Sequence, residues 1–356
     1  MPPTPARLAS LSRPAERGSF LSRSRRHAPA TPTPWTARSR ALARRLLAAL
    51  AVLGACSVAT NAVMAHGFAG KRFFPATLVT DDPFVADELS LPTIAYSKQS
   101  GSDDSPAVRE TDFAVDVSKR VTEHFGFGLG ATYKQLQPDG GDTQHGFDNL
   151  EANIKYNFYE NDEHETLLSA GVDWDIGGTG SKRVGAESFS TITPTLYFGK
   201  GFGDLPAEMK YLRPFAVTGL VGIGIPSSAS STTMNASGDV NVDRHPHTLT
   251  WGFAVEYSLP YLQSFVQDVG LTAPFNRMIP VVEFAMSTAL DRGAHGTTGT
   301  ANPGILWAGQ YTQLSLEASI PVNRESGSHV GWIAQLHFFI DDLFPTTLGR
   351  PIFPSP

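Results

Sequence analysis

The sequence predicts an all-β protein: an antiparallel up-and-down transmembrane β-barrel of about 12 strands, with 10–14 compatible, and short helices in some connections. Three observations predict it. Apolar and polar residues alternate through most of the chain, the alternating stretches exceed ordinary strand length, and the connections differ in kind.

The stretch DNLEANIKYNFY at 148–159 shows the alternation plainly: Leu150, Ala152, Ile154, Tyr156 and Phe158 are interleaved with Glu151, Asn153, Lys155 and Asn157. Successive side chains of a strand point to opposite faces, so one face is apolar and the other polar. The same pattern recurs in FAVDVSKRV (113–121), FGFGLGATYKQL (125–136), TLLSAGVDWDI (166–176), TLTWGFAVEYSL (248–259) and TQLSLEASI (312–320). Less regular candidates lie at 92–99, 187–200, 214–225, 278–290 and 329–340. These make 11 strands. An even number returns both termini to one side, so a twelfth, irregular strand is expected near 69–80 or in the C-terminal tail.

Tight polar connections are expected at 122–124, 160–164 and 322–328, and long loops rich in Gly, Ser, Thr, Asn and Asp at 137–146, 177–187, 226–246 and 291–303. Two others, GDLPAEMKYL and LPYLQSFVQDVG, suit short amphipathic helices. Tight turns at one end and long loops at the other are the habit of outer-membrane barrels. A soluble sandwich would turn its apolar faces inward. Strand length, aromatic residues on the apolar faces and a single Cys favour lipid.

Residues 1–65 read as an address. They hold ten Arg, no Lys and one acid, Glu16, and end in an apolar run, Leu46–Val58, followed by small residues up to Ala65. That is the layout of a secretory signal peptide with a long basic leader. Its Arg content also resembles an organelle transit peptide, and Leu53-Gly54-Ala55-Cys56 resembles a lipoprotein processing box. Without the leader the chain has 18 basic and 33 acidic residues, a net charge of −15, which argues against nucleic acid as a partner. The remaining organisation is a pre-barrel segment at 66–91 (a plug or a periplasmic helix, with Asp81-Asp82-Pro83 as a helix start), a barrel at 92–340 and a tail at 341–356.

If the apolar face meets lipid, the polar face lines the lumen. It carries Arg120, Lys134 and Lys155 against Asp116, Glu151, Asp173, Asp175, Glu256, Glu283 and Glu317. Two readings are open: a water-filled or gated channel with mildly acidic walls, or a narrow lumen closed by charges paired between strands.

Gly-aromatic strands behind a secretory leader resemble Gram-negative outer-membrane barrels in general. FSTITPTLYFGKGFGDLP (189–206), LRPFAVTGLVGIGIP (212–226) and PGILWAGQYTQLSLEASIPVN (303–323) resemble an outer-membrane transporter family named for a phenol-degradation pathway. That resemblance implies a barrel passing small organic molecules, and its motifs identify no substrate. The chain departs from the usual aromatic-terminated last strand, because Phe338-Phe339 is followed by IDDLFPTTLGRPIFPSP.

No catalytic or cofactor constellation is expected. GFGLG (126–130) lacks the helix a dinucleotide loop requires, and GGTGSKR (177–183) lacks the ending of a phosphate loop. His245 and His247 flank Pro246 in a loop, and two ligands do not make a metal site. His66, first residue after cleavage, offers copper an amine and a ring nitrogen but needs a second His. His337 faces inward with Gln335, with no Ser assignable to it. The expected function is an outer-membrane channel for small solutes, without cofactor or metal. Its partners are outer-membrane lipid, the barrel-assembly machinery and an unidentified small molecule. Alternatives are a structural or adhesive barrel and a rim hydrolase.

Overall fold

The computed structural model describes residues 67–101, 106–234, 240–292 and 296–354. The leader, its cleavage site, Cys56 and His66 lie outside them.

Twelve strands carry the fold: β1 (Glu88–Gln99), β2 (Val108–Arg120), β3 (Phe125–Pro138), β4 (Leu150–Asn161), β5 (Thr166–Ile176), β6 (Thr191–Gly201), β7 (Phe215–Pro226), β8 (Thr248–Tyr257), β9 (Met278–Ala289), β10 (Thr297–Ala308), β11 (Thr312–Pro321) and β12 (Gly331–Phe339). Each pairs antiparallel with its chain neighbour. β12 also pairs with β1, Trp332 opposite Tyr96 and His337 opposite Ser90, and this closes the barrel. Short extra strands decorate it: Gln144–Phe147 beside β3, and a hairpin of Ser230–Met234 with Val240–Arg244 beyond β7.

The twelfth strand is β10, not a segment near 69–80 or in the tail. Its first half reads TTGTANPG, and Gly299, Pro303 and Gly304 look like loop chemistry. The sheet accommodates them locally. Pro303 projects outward opposite Val282 of β9, and the pairing to β11 passes from Ala301–Ile320 to Gly304–Glu317 without Asn302 or Pro303. A proline that cannot donate is tolerated where the ladder is interrupted. The extra strand reverses the parity of the last connections. The connection at 309–311 is a tight turn, whereas 322–330 belongs to the long-loop end. β1 starts at Glu88 rather than at 92, and the loop expected over 291–303 shrinks to 290–296.

At the turn end lie the connections 121–124, 162–165 and 309–311, together with 202–214 and 258–277, and both chain ends of the barrel. The two amphipathic stretches form short helices there, Ala207–Leu212 and Leu259–Tyr261 running into Leu262–Val266. The remaining connections, 139–149, 177–190 and 322–330 among them, lie at the other end. Among the described residues no helix is long and apolar enough to cross a membrane.

The outward face is apolar. Leu129, Ile154, Leu196, Val221 and Leu316 are each 44–55% exposed, though they stand in the middle of paired strands. Aromatic pairs flank this belt, Phe215 against Tyr257 at the turn end and Tyr96 stacked on Trp332 at the loop end. Rings at both interfaces around an apolar band are the dress of a barrel in lipid.

Candidate functional site: the lumen

Residues 67–87 fill part of the lumen without forming a helix. Phe68–Ala69 pairs with Arg72–Phe73 in a tight hairpin at the turn end. The chain then rises into the barrel and returns to the turn end at Asp87. Asp81-Asp82-Pro83 starts no helix, because Asp82 accepts from the Phe84 N–H at 2.9 Å in a local turn and the neighbouring carbonyls are taken by the wall.

Two anchors hold the ends of this segment. Arg72, fully buried, pairs with Glu165 at 3.1 Å, donates to the carbonyls of Arg213 and Pro214, and lies over the Tyr261 ring at 3.8 Å. Tyr261 donates in turn to Glu165 at 2.9 Å. At the other end, buried Asp87 accepts from Lys119 at 2.8 Å and from the Arg120 backbone and guanidinium at 2.7 and 3.1 Å.

Between the anchors the segment bridges the lumen. Gln313 of β11 donates to the Ala76 carbonyl at 2.6 Å, and Ser169 of β5 donates to the Pro83 carbonyl. In a ring of twelve strands, β5 and β11 face each other. Lys155 of β4 pairs with Asp81 at 2.7 Å and donates to the Asp82 carbonyl at 2.7 Å.

The Glu283 carboxylate of β9 is held by four donors from the segment: the N–H groups of Leu78, Val79 and Thr80 at 2.7, 3.0 and 2.7 Å, and the Thr80 hydroxyl at 2.8 Å. Apolar contact completes the seat. Phe73 and Leu78 pack on Ala254, Ile279, Val281, Leu306 and Ala308, all facing inward. The inner face is therefore mixed, and one sector of it is apolar and dry.

Beside the segment remains a cavity of about 530 Å³. Its lining holds Asp81, Asp82, Glu88, Asp116, Glu151, Asp173 and Asp175, and no Lys or Arg. Asp173 accepts from Thr195 at 2.9 Å and Tyr197 at 3.1 Å, and Asp175 from Asn149 at 3.0 Å. Gly128 and Gly130 make the room: a Cβ on either would lie under 3 Å from Asn153 and Asp116 respectively.

The ten residues expected to line the lumen thus divide. Asp116, Glu151, Asp173 and Asp175 line the cavity. Lys155 is buried against the segment. Glu256, Glu283 and Glu317 are inward but at most 2% exposed, so they line no water path. Arg120 sits at the turn end, bound to Asp87, Glu123 and the Gly349 carbonyl, and Lys134 pairs with Asp148 and Glu110 near the loops.

His337 is inward, as expected, and does have a serine: Ser90 Oγ lies 2.9 Å from its Nδ1. Its Nε2 stands 3.8 Å from Glu88, beyond hydrogen-bond reach. Ser90 and His337 are direct cross-strand partners at a bulge, so register alone brings them together. His245 stacks on Phe189 while His247 pairs with Asp291, so the two rings serve different partners. Among the described residues no group of three or more His, Cys, Asp or Glu is placed to hold a metal.

No family model matches the chain, and no curated protein matches it. Solved structures similar to it include an outer-membrane channel from Pseudomonas putida F1, at 11% identity and TM-score 0.49, covering 75% of this chain and 98% of that one. The NanC porin is similar at 8% identity and TM-score 0.41 over 70% of this chain and 98% of its own. The KdgM porin is similar at 12% identity and TM-score 0.37 over 69% and 98%.

Proposed function

We propose that this chain is an outer-membrane channel for small solutes, seated in lipid by its apolar belt and delivered there by the barrel-assembly machinery. The observation that carries the reading is the cavity inside a closed barrel, walled by carboxylates with no Lys or Arg among them. Wall charge of one sign concentrates counter-ions, so the path favours cations. Passage of small organic molecules rests on the resemblance of the three quoted stretches alone. The turn end is then periplasmic and the long loops face outward.

Conductance of the purified protein in a planar bilayer tests this, with wild type beside Asp173→Asn/Asp175→Asn. Cation preference that weakens in the double variant is expected. One observation favours a second reading, a structural barrel with a closed lumen: residues 76–83 bridge the barrel between opposite strands. Neither conductance nor solute uptake under any condition would establish that reading instead.

A further inference from the structure

The segment that bridges the lumen is bound unevenly. Its ends are fixed at the turn end, by Arg72 in its pocket of Glu165, Tyr261 and two carbonyls, and by Asp87 between Lys119 and Arg120. Around Glu283 its middle is bonded to the wall at Ala76, Asp81, Asp82 and Pro83, each by a single side chain. Glu283 is different. One carboxylate gathers three consecutive backbone N–H groups and a hydroxyl, the donor set of an anion-binding nest. Charge-assisted bonds to a buried carboxylate are the strong kind.

We propose that Glu283 is the latch of a tethered gate: residues 76–83 swing off the wall when the Leu78–Val79–Thr80 nest releases Glu283, while both anchors stay in place. The inference rests on the channel reading only for its purpose, not for its geometry. Tethering comes from chain geometry. With both anchors at the turn end, the tip is a loop that folds down toward that end and cannot leave the barrel as a free tail. The seat is also reversible by composition: among the described residues of the segment, Phe73 and Leu78 pack on the dry sector, and of these two only Leu78 lies within residues 76–83. Release exposes one carboxylate and three N–H groups to lumen water, which can solvate all of them.

The test uses a reporter on the tip that does not belong to the nest. Ala76→Cys, in a chain whose native thiol is removed by Cys56→Ser, places a buried thiol beside the cavity. Its reaction rate with a membrane-impermeant maleimide is measured with protein folded in lipid vesicles, with Glu283 and with Glu283→Gln. The amide keeps the shape and loses the charge. Labelling is expected to rise about tenfold or more, a latch worth at least ~1.4 kcal/mol. Thr80→Ala removes one donor of four and should give a smaller rise. Equal labelling with Glu283 and Glu283→Gln overturns the latch, whether or not the protein conducts. A faster thiol without conductance in either variant supports the latch and sinks the transport reading alone. Digestion of folded Glu283→Gln by an added protease separates gating from loss of the anchors: cleavage confined to the tip agrees with the proposal, and cleavage before Arg72 or after Asp87 contradicts it.

Discussion

Two sectors of one inner wall answer water differently. On β2, β4 and β5, Asp116, Glu151, Asp173 and Asp175 face an open cavity. On β8 to β11, Glu256, Glu283 and Glu317 occupy equivalent inward positions but are covered, among Ala254, Ile279, Val281 and Leu306. Alternation put carboxylates on both sectors. A segment from outside the strand ladder separates them, because it seats on one sector and leaves the other wet. A lumen carboxylate therefore has no fixed role: facing water it is a wall charge, and facing a backbone nest it is a binding site.

The largest effect should come from the anchor of that segment. Arg72→Met leaves Glu165 buried without its cation, and breaking a buried pair in this way costs about 3–5 kcal/mol. Both side chains are at most 5% exposed, so solvent does not soften the loss. Urea unfolding in lipid vesicles reads it. A midpoint equal to wild type would mean that the segment contributes nothing to the folded barrel.

A single new charge separates the outer face from the wet sector. Leu316→Arg on the lipid side should cost about 2–4 kcal/mol if the residue sits near the bilayer midplane. Thr193→Arg, which enters the cavity, should leave stability nearly unchanged and lower the cation preference. Equal costs at the two positions would place lipid and water on the wrong sides of the wall. Smaller again is Ile279→Val in the dry sector, expected at about 0.5–1.5 kcal/mol for one buried methylene. The protease resistance of residues 74–80 should fall with it, because Leu78 packs on the same cluster.

The range of each interaction decides how much of this was legible in the sequence. Alternation is local, so the barrel, its lipid face and the inward set of acids could be read from windows of about ten residues. β10 was hidden because its Gly and Pro are turn formers whose cost the ladder absorbs only through β9 and β11. With it went the parity of the last loops. The split among the carboxylates was out of reach for a different reason: Glu283 meets Thr80 across 203 residues of chain, and no local pattern marks that meeting. The same holds for Asp81-Asp82-Pro83, whose helix-start chemistry is overruled by Lys155 and Ser169 of the wall. Ser90 and His337 are 247 positions apart and meet only because the last strand closes on the first.

The smallest expected effect sharpens the comparison most. Asp116 and Glu151 line the cavity and have no hydrogen-bond partner among the described residues, so neither holds another group in place. Asp116→Asn/Glu151→Gln removes two wall charges while keeping shape, and unfolding should stay within about 0.5 kcal/mol of wild type, as for substitutions that break no buried contact. Ion selectivity should still shift away from cations, since the field in a narrow, low-dielectric path responds to each fixed charge. Glu256→Gln is the matched control from the dry sector. It too removes one inward carboxylate, but one that is 2% exposed, so selectivity should not move. If Glu256→Gln changed selectivity as much as the wet pair, water would reach the dry sector, and the segment at 76–83 would not divide the lumen. If neither changed it, the conducting path would run elsewhere than past these acids.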